Sequence, residues 1–225
     1  MGQDVRSPCG PRCIALVGPF QSGKTTLLEA ILSRTQAIPK AGTVEAGNTV
    51  GDSSAEARLH QMSMGLTVAT TTFMGDSYTF IDCPGSVEFA YDMRAVLPAV
   101  DAAVIVCEAD ERKLPQLQLV LRELEDLGIP RFLFLNKIDK ANQRIGEALA
   151  MLQPASRTPL VLRQIPIWQG DIVTGFVDLA LERAFVYREH MASEVIGLES
   201  GDLDREKDAR LTMLEKLADH DDRLL

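Results

Sequence analysis

Residues 18–25 read GPFQSGKT, in which Gly18 and Gly23 flank four residues and are followed by Lys24 and Thr25. Phosphate oxygens need many donors and a close backbone, which glycine permits, and the start of a helix favours negative charge. In a loop of this pattern the lysine reaches the β- and γ-phosphates, and the threonine hydroxyl binds Mg²⁺. The alternative is an incidental glycine-rich turn. The spacing predicts a phosphate site made of Gly18, Gln21, Ser22, Gly23, Lys24, Thr25 and Thr26.

A second carboxylate stands in residues 82–85, which read DCPG after an apolar stretch. Nucleoside triphosphatases with such a loop place a second carboxylate near Mg²⁺, at the end of another strand. We therefore expect Asp82 to contact Mg²⁺ through water and the Gly85 N–H to donate to the γ-phosphate. On its own, DCPG is more typical of a structural turn. The loop at residues 18–25 is what favours the chemical interpretation.

Residues 132–139 read FLFLNKID and place Asn136, Lys137 and Asp139 after another apolar strand. Ligands bind at the carboxyl ends of parallel strands. A carboxylate accepts from both the N1–H and the exocyclic amine of guanine, and adenine offers no such donor pair. We expect Asp139 to select guanine, Asn136 to brace the loop and the Lys137 stem to cover the ring. The alternative is a polar strand end with an N-cap aspartate.

Alternating strands and helices are predicted to position these residues. Apolar strands are predicted at 13–17, 66–73, 77–83, 102–109 and 131–136, and helices after Lys24 and at 87–97, 115–127 and 145–152. Near-continuous apolar strands that alternate with helices predict an α/β fold, with a mostly parallel sheet covered by helices on both faces. Residues 39–65 form a long stretch rich in Gly, Ser and Thr, and a loop of that length is usually functional.

The pattern changes at Pro159. Residues 160–167, 171–180 and 183–190 predict consecutive strands of a separate small sheet, and residues 203–225 predict an acidic amphipathic helix. We therefore expect a flexible tail over residues 1–12, a nucleotide-binding domain over residues 13–155 and part of a small α+β subdomain over residues 156–225.

The composition is that of an ordinary globular protein, with 225 residues of which 46% are hydrophobic and 24% are charged. The net charge of −9 argues against a broad nucleic-acid-binding face, so no direct DNA binding is expected. No apolar run approaches the length of a membrane span, so no membrane partner is expected. Four cysteines in a chain of this length do not make a disulfide framework, which favours a reducing, cytoplasmic location.

In this order and spacing, the three motifs resemble those of GTP-binding translation factors. Residues 65–73, GLTVATTTF, resemble the switch segment of elongation factor G, and residues 87–109 resemble that family's stretch after its second aspartate. Residues 159–190 resemble the subdomain that elongation factor G inserts in its GTP-binding domain. The resemblance implies a P-loop GTPase domain, truncated within the inserted subdomain, that binds GTP and GDP with Mg²⁺. It implies that a longer parent protein hydrolyses GTP as a conformational switch on the ribosome.

The resemblance also carries site roles. It implies that Thr67 contacts Mg²⁺ and the γ-phosphate in the GTP state, and that Lys24, Thr67 and Gly85 belong to the catalytic set. The family usually reads DTPGH, in which the histidine helps to position the attacking water, and this chain has Ser86 there. A serine is shorter and does not become an imidazolium, so slow hydrolysis is expected. The alternative role for Ser86 is to cap a helix that begins near Val87.

Two further departures concern nucleotide binding. Gln21 stands where the family commonly carries aspartate, so one negative charge near the phosphates is gone. The family's last guanine-contacting motif would follow the inserted subdomain, and the sequence ends before it. Besides the GTPase, the residues also allow a GTP/GDP-sensing switch that hydrolyses little and docks a ribosome or another partner without driving translocation. A protein for adenine nucleotides is a third possibility, which NKID opposes.

Overall fold

The computed structural model describes residues 12–51, 65–140, 144–188, 191–197 and 200–219. All but Arg12 of the expected flexible tail lies outside the described residues. The same holds for residues 52–64 of the long loop and for residues 220–225 of the predicted last helix. The chain divides into two compact units, residues 1–136 and residues 137–225.

The first unit is built on a five-stranded sheet. Its strands are β1 (Arg12–Val17), β2 (Thr67–Phe73), β3 (Asp76–Asp82), β4 (Ala102–Cys107) and β5 (Arg131–Leu135). The strand order is β2-β3-β1-β4-β5, and every pair is parallel except the antiparallel pair of β2 and β3. The predicted mostly parallel sheet is therefore confirmed, and all five strands lie where the apolar runs placed them.

The described residues of this unit form three α-helices: α1 (Lys24–Arg34), α2 (Ala90–Val96) and α3 (Leu114–Asp126). The α-helix is shorter than the one predicted over residues 87–97, because 3₁₀ turns at Val87–Phe89 and Leu97–Ala99 flank α2. Helix α3 starts as predicted, with Pro115 in its first turn, where a missing N–H has no cost. It is followed by Gly128 in the left-handed region at φ 66°.

Both faces of the central strand β1 are covered. Leu16 packs with Leu28 and Leu32 of α1 and with Phe80 of β3. Side chains alternate along a strand, so Ala15 and Val17 point to the opposite face, and both are fully buried. Helices thus shield the sheet on two sides, and the carboxyl ends of β1, β3, β4 and β5 come together at one edge.

The second unit holds α4 (Ile145–Leu152), an antiparallel four-stranded sheet and α5 (Ser200–Ala218). The sheet contains β6 (Gln164–Gln169), β7 (Ile172–Asp178), β8 (Arg183–Val186) and β9 (Glu194–Ile196), in that order. Its core joins Ile165, Leu179 and Met213, with Ile145 of α4 packed against them. The predicted separate small sheet is confirmed, and it contains one strand, β9, that the sequence did not predict.

The second unit begins at Lys137, whereas the sequence placed the start of the inserted subdomain at residue 156. The difference arises because Ile145 of α4 joins the hydrophobic cluster of the second unit. The functional domain limits of 13–155 and 156–225 stay a prediction. In the described part of the chain, no helix combines the length and the apolar character needed to cross a bilayer.

Candidate functional site

The loop between β1 and α1 has the backbone shape that its glycines predict. Gly23 lies in the left-handed region at φ 98°, and a Cβ added there would be 2.3 Å from Asn136 Nδ2. That amide, just past the end of β5, donates to the Ser22 carbonyl at 2.8 Å. Only glycine fits at this approach. The end of one strand thus holds the loop that follows another.

Lys24 is buried at the centre of the loop, with 6% of its surface exposed. Its Nζ donates to the carbonyls of Gly18 at 3.1 Å and Pro19 at 3.0 Å. Burial lowers the pKa of Lys24 to about 8, and the nearby Asp82 carboxylate opposes this shift. A cation that is kept from water in this way interacts strongly with any anion that enters the loop.

Thr25 and Asp82 are in contact at the end of β3, and Thr67 lies opposite Asp82 on the neighbouring strand. The Thr25 hydroxyl donates to Asp82 Oδ2 at 2.6 Å, and Thr67 is the direct partner of Asp82 in the antiparallel ladder of β2 and β3. Burial raises the pKa of Asp82, while the Thr25 hydrogen bond and the Lys24 charge act against that rise. The other carboxylate oxygen, Oδ1, is buried and has no hydrogen-bond partner among the described residues.

This oxygen cluster fits a divalent cation. Mg²⁺ prefers hard oxygen ligands and retains several waters, so it needs few protein groups. A hydroxyl and a carboxylate 2.6 Å apart, with one carboxylate oxygen left unpaired in the interior, supply such ligands. Buried polar groups normally have partners, which makes the unpaired Asp82 Oδ1 a site that a bound cation or its water would satisfy.

The turn after Asp82 lies directly against the loop. A Cβ added at Gly85 would be 2.3 Å from Lys24 Nζ and 2.9 Å from each of the carbonyl oxygens of Gly18 and Pro19. Any side chain at this position would therefore push the turn away from the lysine. The structure thus places the DCPG turn against the glycine-rich loop.

Ser86 does not act as the helix cap that the sequence allowed. It precedes the 3₁₀ turn Val87–Phe89 in an extended conformation, but its side chain makes no capping hydrogen bond. Its hydroxyl donates instead to Glu88 Oε2 at 2.6 Å. The cap interpretation is therefore wrong, because the hydroxyl donates to a carboxylate and accepts from none of the N–H groups of the turn.

The remaining predicted residues have these positions. Gln21 is exposed at φ 55°, Ser22 has a buried hydroxyl without a hydrogen-bond partner among the described residues, and Thr26 is exposed in the first turn of α1. Lys137 adopts φ 55°, and Asp139 lies in the 3₁₀ turn Ile138–Lys140. Their roles toward phosphate and guanine stay predictions.

Three residues of this region were missed by the sequence analysis. Lys113 donates to the Phe20 carbonyl at 3.1 Å, and Gln116 bonds to both the Phe20 N–H and the Gly85 carbonyl. Glu29 is buried in α1 and accepts from two backbone N–H groups of residues 42–50. The available signal was that Lys113 and Gln116 lie in the segment that follows β4, since ligands bind at the carboxyl ends of parallel strands.

Comparison with known families decides the class of this fold. Residues 11–209 match the family described as the elongation factor Tu GTP binding domain. The chain belongs to this family of GTP-binding domains. The five-stranded sheet with its glycine-rich loop is thus the sheet of a P-loop GTPase domain, and the second sheet fits an inserted subdomain.

Relatives of this GTP-binding domain carry a narrower name. This chain is 43% identical over 214 residues to the elongation factor G-like protein of Synechocystis sp., and the match covers 95% of this chain and 32% of that protein. It is 32% identical to the elongation factor G-like protein of Mycobacterium tuberculosis, covering 94% of this chain and 29% of the relative. A crystal structure of a Thermus thermophilus protein superposes with a TM-score of 0.86 at 30% identity, covering 95% of this chain and 32% of that one. The chain thus spans about a third of the length of these proteins.

Proposed function

We propose that this chain binds GTP and GDP with Mg²⁺, and that the protein it belongs to hydrolyses GTP as a conformational switch on the ribosome. The observation that supports this most directly is that Lys24 lies next to the hydrogen-bonded pair of Thr25 and Asp82. A buried ammonium group and an oxygen cluster with an unpaired carboxylate oxygen lie side by side at the end of β1. Triphosphates bound with a cation need this combination of charges.

The chain's own groups have distinct tasks in the proposed reaction. Lys24 holds the β- and γ-phosphates, and the Gly85 N–H donates to the γ-phosphate, so both stabilise the charge that develops on it. Thr25 and Asp82 would hold Mg²⁺, Asp82 through water, and Thr67 would close the site in the GTP state. Mg²⁺, when bound, neutralises phosphate charge. The N–H groups of residues 21–26 cradle the phosphates as a nest.

Base selection is assigned to the residues after β5. Asp139 accepts from the two guanine donors, the Lys137 stem covers the ring, and Asn136 holds the phosphate loop through its bond to the Ser22 carbonyl. The ribosome is the proposed partner and the cytoplasm the proposed location, and the similarity to elongation factor G-like proteins supports both proposals.

A second candidate is a switch that senses GTP and GDP but hydrolyses little. The position of Ser86 favours it, because the family's usual histidine is absent there and the serine hydroxyl is bonded to Glu88. In this version the GTP state docks the ribosome or another partner without driving translocation.

The proposed site is tested by equilibrium binding of fluorescently labelled GDP, with unlabelled GTP and ATP as competitors. The wild-type chain should bind GDP, GTP should compete and ATP should not. Lys24→Ala removes the buried cation and should weaken binding by about a hundredfold or more, since charge-assisted hydrogen bonds are lost. Lys207→Ala, on an exposed position of α5, is the control and should bind normally. Tight GTP binding by Lys24→Ala would refute the assignment of the phosphate loop.

A further inference from the structure

Gln116, in the first turn of α3, joins two segments of the site that are far apart in sequence. Its Oε1 accepts from the Phe20 N–H at 3.2 Å, and its Nε2 donates to the Gly85 carbonyl. The amide group uses its acceptor on the phosphate loop and its donor on the turn after Asp82. One side chain therefore sets the distance between the loop and the turn.

The helix that carries Gln116 is well anchored. Leu117, Leu121 and Leu124 of α3 are each at most 1% exposed, so the helix is fixed by the core of the first unit. Just before α3, Lys113 donates to the Phe20 carbonyl at 3.1 Å. Phe20 is thus bonded to this region through both its N–H and its carbonyl, and it keeps one of the two bonds if Gln116 is changed.

The turn has little room to move toward the loop. The space where a Cβ of Gly85 would lie is within 2.3 Å of Lys24 Nζ. Movement away from the loop would break the bond between the Gly85 carbonyl and Gln116. We propose that Gln116 is a positioning residue that fixes the Gly85 turn for contact with the γ-phosphate. This inference rests on the proposed function, which assigns the Gly85 N–H to that phosphate.

The proposal predicts an effect on triphosphates and not on diphosphates. The α- and β-phosphates are held by the loop alone, whereas the γ-phosphate needs the loop and the turn at a fixed distance. Without the donor of Gln116, the turn samples other positions and must be ordered again when a triphosphate binds. This ordering cost weakens the binding of GTP. The binding of GDP is unchanged, because Lys113 still holds Phe20.

The experiment measures dissociation constants for GDP and for GTPγS, with Mg²⁺, on the whole 225-residue chain. Gln116→Met is neutral, similar in length and loses both hydrogen bonds. Gln116→Glu keeps the acceptor for Phe20 and loses the donor for Gly85. Gln118→Met and Gln118→Glu are matched controls on the same helix, because Gln118 has no hydrogen bond to the described loop or turn. Both Gln116 variants should bind GTPγS about tenfold more weakly and GDP within about twofold of wild type.

Other results would overturn the positioning role. These are an equal loss for both nucleotides, a gain for GTPγS, no change, or an effect of Gln116→Glu alone, which would reflect added charge. Unchanged GDP binding serves as the check that each variant is folded. If wild type binds both nucleotides and the Gln116 variants have the same ratio of GTPγS to GDP dissociation constants as wild type, this inference fails and the proposed function stands. If wild type binds neither, the proposed function fails and takes this inference with it.

Discussion

At the scale of single residues, base selectivity depends on Asp139. An asparagine amide would present a donor where the carboxylate presents a second acceptor, and xanthine carries a carbonyl where guanine carries its amine. Asp139→Asn should therefore weaken GTP binding by about a hundredfold and improve the binding of xanthosine triphosphate. Competition against labelled nucleotide measures both affinities. Asp171→Asn, at an exposed position, is the matched control, and unchanged GTP preference in Asp139→Asn would sink the assignment.

Ser86 is the residue at which hydrolysis is expected to be limited. Its hydroxyl is bonded to Glu88, and under the proposed function a histidine at this position would supply a group that can position the attacking water. Ser86→His should raise ribosome-stimulated GTP hydrolysis by about tenfold or more, within the range that a positioned acid–base group gives. Ser86→Ala removes the hydroxyl without adding an imidazole and should not raise the rate. Equal rates for the histidine variant and wild type would direct attention to Gln21.

Some residues of the site could be predicted from the sequence, and others could not. Gly18, Gly23, Lys24 and Thr25 lie within eight consecutive residues of the chain, so local spacing was enough to predict their pattern. Gln116 was missed because its two contacts cross 96 and 31 residues, and no local pattern encodes such distances. The helix cap considered for Ser86 is absent, and the hydroxyl instead donates to Glu88, two residues further on.

At the scale of elements, Glu29 connects α1 to the segment that follows it. The side chain is 2% exposed and accepts from the Gly42 N–H and the Val50 N–H, each at 2.6 Å. One carboxylate thus holds both ends of residues 42–50, next to the part of the chain that leads to Thr67. We expect this segment to stay fixed while the nucleotide changes.

Glu29→Ala should lower the free energy of unfolding by about 3 kcal/mol, because two hydrogen bonds to a buried carboxylate are lost and two N–H groups lose their partner. Urea unfolding measures the loss, and hydrogen exchange of the Gly42 and Val50 amides should accelerate at the same time. Glu45→Ala changes an exposed carboxylate in the same segment and serves as the control. Slow exchange at both amides in Glu29→Ala would show that the carboxylate does not hold the segment.

The strands and helices were largely predictable, because apolar runs and turn residues are local signals. The exceptions have physical causes. Strand β9 has three residues, all exposed, so it has no alternating pattern to detect. Strand β5 was predicted from an apolar run, yet Phe132 and Phe134 are 66% and 42% exposed, and β5 is an edge strand of the sheet in the described residues.

At the scale of the whole molecule, the chain is a GTP-binding domain with a second unit, and it spans about a third of the length of its relatives. The residues that hold phosphate, cation and base are proposed to lie within it. The proposed transfer of the nucleotide state to the ribosome concerns the whole protein, so the switch has to be tested on the protein in the length that its organism makes.

The most direct test is single-turnover GTP hydrolysis by that protein, with and without ribosomes, in samples where GTP binding is measured as well. A working translational GTPase should show a rate at least about tenfold higher with ribosomes, since the partner completes the positioning of the water. Bound GTP whose hydrolysis rate does not change on adding ribosomes would contradict the GTPase switch and would favour the binding switch that Ser86 suggests.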